Sequence, residues 1–372
     1  MVVLVLIPAM TPAGAAQGNP AAAPMAVQAK AWVMVDAGTG AVIEAENARI
    51  PLPPASLSKL LTALVAVRAL EGDTGVPISE RAAAMPARKL NMEAGEEWPL
   101  GDVLHSLLLS SANDAAAALA ERVAGSLEGF ATVLQASAGH LGLEDDPVLR
   151  DPAGFDDTAA VDGGNLISAR DLAIVARAAL AEPALASIVG LREYAFTGPD
   201  GLPHRLINHN RLLRLYPGTV GMKTGYTRKA GNTLVAAAKR DGRTMIVVLL
   251  GVEDMYGAAA SLLDRGFATP AGATGRPVDR LPAVRRLPAS SPLVDTAGAG
   301  LALPAESPAG ESRAGSPALR LAATATLGLA GSACFLRVRV LRAQAGRRRT
   351  RRRHPAHPLK NARPNPRRVA ST

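Results

Sequence analysis

Residues 56–70 read as a helix that is apolar almost all round. A helix without a polar face has to be wrapped on every side by other elements, so the chain must build layers around this segment. Pro51, Pro53 and Pro54 bar helix upstream and set its start near Ser56. Lys59 is the only charge between Leu57 and Val67. In Ser56-Leu57-Ser58-Lys59 the serine and the lysine are three residues apart and project from one face, one turn apart. A serine at a helix N-terminus lies where backbone N–H groups point outward and developing negative charge is favoured. A lysine buried beside apolar side chains loses basicity and becomes a usable base near neutral pH. Taken alone, the same four residues describe an N-capping serine with a lysine that reaches out to solvent, because S-x-x-K is a common pattern.

Two further short motifs lie downstream. Ser111-Ala112-Asn113 falls between apolar helical stretches at 102–109 and 114–123. There a hydroxyl and an amide are held at the rim of a cleft, or simply cap the second helix. Lys223-Thr224-Gly225 lies on a strand at 220–227 that carries Tyr226 next. Glycines at 218, 221 and 225 weaken a strand unless another backbone or a ligand approaches closely. A cation and a hydroxyl beside bare backbone suit a peptide with a free carboxylate added along the edge; an ordinary edge strand with a solvated lysine is the alternative.

The elements between these motifs define the fold class. Residues 31–36 and 41–44 read as two short strands about the turn Ala37-Gly38-Thr39-Gly40. Residues 168–180 form a helix opened by Ser168-Ala169-Arg170-Asp171, a capping sequence. Residues 232–240 and 243–251 form a hairpin about Asp241-Gly242, and 254–266 close with a helix. Strands and helices in mixed order with a late hairpin imply an α/β protein of the α+β kind, an antiparallel sheet flanked by helices. The foldable domain runs over 25–268. Residues 269–317, rich in Pro, Ala, Gly and Ser, read as a linker.

Charge and composition exclude several classes. Cys334 is the single cysteine, so there is no disulfide framework or cysteine metal cage, and the six histidines show no H-x-x-x-H spacing. No metal and no cofactor are expected. The formal net charge is +9, but residues 337–372 hold 13 Lys/Arg and no acid. Elsewhere 41 − 13 = 28 bases face 32 acids, a net of −4. A nucleic-acid footprint on the folded domain is therefore not supported.

Both ends read as addresses. Residues 2–7 are an apolar run followed by Ala13-Gly14-Ala15, an A-x-A cleavage pattern, so 1–24 read as a signal peptide region lacking basic residues at its start. Leu321 to Leu336 carries no charge and is closed by Arg337, Arg339 and Arg342. The expectation is a membrane anchor over 318–336 with a basic cytoplasmic tail over 337–372. An interfacial helix, or a solvated tail that binds nucleic acid or anionic lipid, are the alternatives.

S-x-x-K, S-x-N and K-T-G in this order resemble the trio of penicillin-binding proteins and class A β-lactamases, which has S-D-N in second place. From about residue 28 to 267 the chain resembles the D-alanyl-D-alanine carboxypeptidases, the low-molecular-weight penicillin-binding proteins. The likeness extends through Pro54-Ala55-Ser56-Leu57-Ser58-Lys59-Leu60-Leu61-Thr62-Ala63, Ser168-Ala169-Arg170-Asp171-Leu172-Ala173, Gly221-Met222-Lys223-Thr224-Gly225-Tyr226-Thr227-Arg228-Lys229-Ala230-Gly231, and residues 234–242.

The resemblance implies a β-lactamase/DD-peptidase-like fold, with a five-stranded antiparallel sheet flanked by helices, a helical subdomain and a cleft between them. It implies that Ser56 attacks the carbonyl between two terminal D-alanines while Lys59 takes its proton. Ser111 would relay a proton and Asn113 contact the substrate. Lys223 and Thr224 would hold the terminal carboxylate next to Gly225, and the N–H groups of Ser56 and Tyr226 would form the oxyanion hole. The expected substrates are peptidoglycan stem peptides ending in D-Ala-D-Ala, with β-lactam antibiotics as covalent inhibitors. The expected place is the envelope, on the outer face of the cytoplasmic membrane. Many relatives carry a β-rich domain after the catalytic one, where this chain has its linker.

A class A β-lactamase would also carry Glu-x-x-x-Asn between Ser111 and Lys223, and none of Glu121, Glu128, Glu144, Glu182 or Glu193 has an asparagine four residues on. A DD-endopeptidase that cuts cross-links would use the same residues. A catalytically silent wall-binding module is the alternative from another class.

Overall fold

The computed structural model describes residues 27–270 and 279–289. Its centre is a six-stranded, wholly antiparallel sheet. The strands are β1 (Ala29–Asp36), β2 (Ala41–Glu46), β7 (Thr219–Thr227), β8 (Gly231–Arg240), β9 (Arg243–Val252) and the two-residue β10 (Asp279–Arg280). Across the sheet they run in the order β10-β2-β1-β9-β8-β7. The β8–β9 hairpin closes over Asp241 and Gly242, at φ 49° and 79°; two positive φ values make the type I′ turn whose twist matches the strands.

Both faces of the sheet are covered, which is why β8 and β9 read as near-continuous apolar runs. Trp32, Met34, Leu234, Ala236, Val247 and Leu249 pack against Leu262 and Leu263 of α9 (Met255–Ala268). The alternate residues, among them Val33, Val35, Val235, Val248 and Leu250, face the larger core beneath the other helices.

At the middle of that core lies α1 (Ser58–Ala69), touched by α4 (Asn113–Ala124), α5 (Leu127–Leu141), α6 (Ala169–Leu180) and α7 (Pro183–Val189). Every residue from Ser58 to Ala66 is buried, the burial that an all-apolar helix demands. Ser168 caps α6 as its sequence indicates, accepting from the backbone N–H of Asp171 at 2.9 Å. The smaller elements are α2 (Glu80–Ala83), α3 (Leu100–His105), α8 (Leu212–Leu215), and the two-stranded ribbons β3 (Gly75–Pro77) with β4 (Glu97–Pro99) and β5 (Glu193–Thr197) with β6 (Pro203–Ile207).

Two expectations change. The sheet has six strands rather than five, and residues 279–289 belong to the packed body rather than to a linker. Leu281 and Leu287 are buried. Arg170 Nε donates to Asp279, Arg177 Nη1 to the Pro282 carbonyl at 2.7 Å, and Arg68 Nε to the Leu287 carbonyl at 3.0 Å. Side-chain donors from the helices satisfy this segment, so it needs no periodicity of its own. Residues 1–24, the remaining linker, the anchor at 318–336 and the tail at 337–372 lie outside the described residues. Among the described residues no single helix is long and apolar enough to cross a membrane.

Candidate active site

Ser56 sits on a 3₁₀ turn, Ala55–Leu57, that leads directly into α1. Because the turn runs straight into α1, Ser56 and Lys59, three residues apart, stay on one face across the junction. Ala55 is held at φ 51°, a left-handed conformation that alanine rarely adopts. Such a residue persists only where its surroundings over-determine it, and here they do. Thr233 Oγ1 on β8 donates to the Pro54 carbonyl at 3.0 Å. Asn165 Nδ2 donates to Ser58 Oγ at 2.8 Å. Gly154, at φ 85°, comes so near that a Cβ there would lie 1.9 Å from the Ala55 carbonyl oxygen.

Lys59 has no exposed surface. Its amine donates to Ser56 Oγ at 3.0 Å, to Asn113 Oδ1 at 2.9 Å and to the Ala153 carbonyl at 2.6 Å. Burial lowers its pKa to about 7; Asp151 and Asp114 oppose the shift and Arg88 adds to it. A lysine that exchanges its proton near neutrality, with the serine hydroxyl in reach, is positioned as a general base.

The Ser111 and Asn113 side chains do not cap the following helix. Ala112 is the N-cap of α4, with no side-chain cap bond. Asp114 takes that load. Its buried carboxylate accepts from the N–H groups of Leu90, Asn91, Met92 and Ala115 at 2.9–3.3 Å and fastens the preceding loop to the helix. Asn113 is thereby free to face Lys59, while its Nδ2 donates to the Pro86 carbonyl at 2.9 Å. Ser111 ends a π-helical turn, Ser106–Ser110, and is held at φ 63°. Among the described residues its hydroxyl has no hydrogen bond to Ser56, Lys59 or Lys223; with Ser56 it lines the same cleft.

The third motif lies on β7, the edge of the sheet. Lys223 is buried, and its amine donates to the Thr224 carbonyl at 3.1 Å. Burial drives its pKa well below the ordinary lysine value, and the nearby Lys59 and Arg88 drive it further. Thr224, Gly225 and Tyr226 line a cleft of about 650 Å³ together with Ser56, Ser111 and Asn113. Tyr226 is 64% exposed, so its ring stands at the rim. A second cavity, of about 680 Å³, lies at the Asp241-Gly242 end of the sheet and holds no motif residue.

All eight residues singled out in the sequence therefore converge. Sequence reasoning missed the loop that completes the site. Asp151, 1% exposed, accepts from the N–H groups of Ala153, Gly154 and Phe155 through one oxygen and from Val161 through the other. Asn165 Oδ1 accepts from Arg150 and Asp151, and Thr62 Oγ1 donates to the Pro152 carbonyl at 2.8 Å. These bonds aim the Ala153 carbonyl at Lys59. The available signal was Asp151-Pro152-Ala153-Gly154, a turn signature that says nothing of its neighbour. Arg88 and His209, which also line the cleft, carried no signal.

Residues 17–254 match the family model described as D-alanyl-D-alanine carboxypeptidase. The D-alanyl-D-alanine carboxypeptidase DacF of Bacillus subtilis is 32% identical over 252 residues, 66% of this chain and 63% of that one. DacB2 of Mycobacterium tuberculosis is 32% identical over 246 residues, 64% of this chain and 82% of that one. The chain thus spans less than two thirds of the Bacillus relative's length. Among solved structures, a D-alanyl-D-alanine carboxypeptidase from M. tuberculosis superposes with a TM-score of 0.61 at 30% identity, covering 67% of this chain and 96% of that one. A point mutant of the Streptomyces K15 DD-transpeptidase gives 0.59 at 26% identity, covering 66% and 99%.

Proposed function

The chain belongs to the D-alanyl-D-alanine carboxypeptidase family, and on that premise we propose that it removes the terminal D-alanine from peptidoglycan stem peptides through an acyl-enzyme on Ser56. The observation that carries the reading is the Lys59 amine, fully buried, 3.0 Å from Ser56 Oγ, with its pKa lowered to about 7.

In the proposed reaction the neutral Lys59 amine takes the Ser56 hydroxyl proton as Oγ bonds to the carbonyl carbon of the penultimate D-alanine. The oxyanion forms against the N–H groups of Ser56 and Tyr226, where pre-aimed donors are worth most. Ser111 passes the proton to the amine of the departing D-alanine as the C–N bond breaks. Water then attacks the ester carbonyl and gives a proton to the neutral Lys59 amine; as the C–Oγ bond breaks, Lys59 returns that proton to Ser56 Oγ, and the shortened peptide leaves as its acid. Lys223 and Thr224 hold the terminal carboxylate, and Asn113 contacts the peptide. A β-lactam opens at the same serine and remains as an ester.

The catalytic unit we propose is residues 25–268 completed by 279–289, placed in the cell envelope. An uncharged Leu321 to Leu336 followed by clustered arginines supports an anchor there with its tail in the cytoplasm.

The test is free D-alanine released from a peptide ending in D-Ala-D-Ala by the full chain. Release that vanishes in Ser56→Ala supports the reading. Cleavage of a cross-linked peptide dimer without D-alanine release would replace it with the endopeptidase. Neither activity, with no penicillin label, would leave a wall-binding module.

A further inference from the structure

Arg88 and His209 come from two loops, far apart in the chain, that both line the cleft. Arg88 precedes α4, and His209 follows β6. Their side chains meet, with Arg88 Nη1 2.8 Å from His209 Nδ1. A guanidinium has donors only, so Nδ1 must accept and the ring proton must sit on Nε2. Burial, with Arg88 and Lys223 nearby, pushes His209 down to about 4, which keeps the ring neutral in the working range. Each partner is also pinned by its backbone. The Arg88 carbonyl accepts from Asn113 N–H at 2.7 Å. His209 donates its N–H to the Leu109 carbonyl at 3.2 Å, and its own carbonyl accepts from Tyr256 Oη at 3.0 Å.

Two observations say what the pair faces. The cleft that holds Arg88, His209 and Ser56 is lined by no Asp or Glu, and among the described residues Arg88 has no ion pair with a carboxylate. A permanent cation with most of its donors unspent therefore borders the site. Lys223 holds its charge less readily than an arginine, because burial lowers its pKa. It is buried beside Lys59 and Arg88, and those neighbours favour its neutral form. Arginine stays charged where lysine does not, and its planar fork matches a carboxylate.

We propose that Arg88, oriented by His209, is a recognition residue for the C-terminal carboxylate of the substrate, acting beside Lys223 and Thr224. The proposal rests on the Ser56 acyl-enzyme reading and extends it to a residue outside the three motifs. The carboxylate bridges the two sides of the cleft, with Arg88 on the helical side and Lys223 on the sheet side, and sets the scissile carbonyl against Ser56.

The experiment compares acylation rates of the full-length chain by benzylpenicillin and by its methyl ester, followed as mass increase at Ser56, in wild type, Arg88→Gln, Arg88→Lys and His209→Gln. Wild type should prefer the free acid. Arg88→Gln, compared with wild type at a pH above the acid limb of both, should lose about ten- to a hundredfold of that preference, as expected for a charge-assisted bond, with little change in the ester rate at that pH. Arg88→Lys should recover part of it, and His209→Gln should weaken it while the charge remains.

A second readout separates recognition from a structural role. Lys59 is faced by Asp151 and Asp114, which raise its pKa, and by Arg88, which lowers it, with the amine of Lys223 close by. Removing Arg88 should move the acid limb of acylation to higher pH, and Arg88→Lys should leave it in place. An acid-to-ester preference unchanged in Arg88→Gln overturns the proposal, whether or not both rates fall. A wild-type chain that takes up neither form overturns the acyl-enzyme reading and this proposal with it.

Discussion

Gly225 lies directly over the backbone nitrogen of Ser56: a Cβ on Gly225 would stand 2.8 Å from that nitrogen, 2.5 Å from Thr233 Oγ1 and 3.0 Å from Ala55 Cβ. The edge strand and the nucleophile turn are therefore in backbone contact, and the residue between them has to be glycine. This joins the first and third motifs into one site. It also places the Ser56 N–H at the wall of the cleft, where an oxyanion donor is needed.

Gly225→Ala should consequently impair chemistry more than folding. The added methyl meets backbone and a β-branched side chain, neither of which yields easily, so a cost of about 1–3 kcal/mol is expected. Displacing one oxyanion donor costs about 10²–10³ in rate. Gly101→Ala is the control, because nothing lies within 4 Å of its added Cβ. Parallel melting curves and acylation rates check this. A Gly225→Ala enzyme acylating at the wild-type rate would remove the contact from the mechanism.

The pH dependence follows from Lys59. Its amine must be neutral to accept the Ser56 proton, and burial sets its pKa at about 7. Acylation should fall as pH drops through that value, with an acid limb near 7 in kcat/KM. The stability term has a defined sign. The folded pKa lies below the unfolded value of 10.5, so between about pH 7 and 10.5 the unfolded chain binds more protons. Stability from this group therefore rises with pH across that window. Lys59→Met should lose about 10²–10⁴-fold in acylation and flatten the limb. An acid limb that survives the substitution would assign it to another group.

How much of this was legible in the sequence depends on how far apart the interacting atoms lie along the chain. Ser56 and Lys59 are one turn apart, so their proximity is written in the spacing. Lys223 to Tyr226 announced themselves because glycines in a strand need a reason. Asp151, Asn165 and Thr233 act through backbone atoms or a serine hydroxyl; Asn165 reaches Ser58 across 107 positions and Thr233 reaches Pro54 across 179. No local pattern encodes such a bond. The same holds for Arg88 and His209, 121 positions apart. The sixth strand escaped notice because two residues carry no period; arginines on distant helices hold it in place.

Truncation after residue 270 tests that last point. Arg170 and Arg177 are 3% and 6% exposed, and both donate to the 279–289 segment. Removing it uncovers Leu281 and Leu287 contacts and strips partners from two buried guanidiniums, a loss of about 1–3 kcal/mol for each abandoned group. For a domain of this size the melting temperature should fall by about 5–10 °C. Thermal unfolding of the full and shortened chains decides it, and an unchanged midpoint would return 279–289 to the linker.

Asp151 gives a prediction of opposite sign to Arg88. Its carboxylate is the largest of the charges that raise the Lys59 pKa, and it also fixes the loop whose Ala153 carbonyl accepts from that amine. Asp151→Asn removes the charge while keeping one oxygen for the three N–H groups of residues 153–155. The new amide nitrogen then opposes the Val161 N–H, donor against donor, at a cost of about 1–3 kcal/mol. With the charge gone, Lys59 should become less basic still, and the acid limb should move below its wild-type position. The pH profile of acylation by benzylpenicillin in Asp151→Asn is the measurement. A limb that moves upward, or stays fixed in a protein that remains folded, would show that Asp151 serves the loop alone and leaves the base untouched.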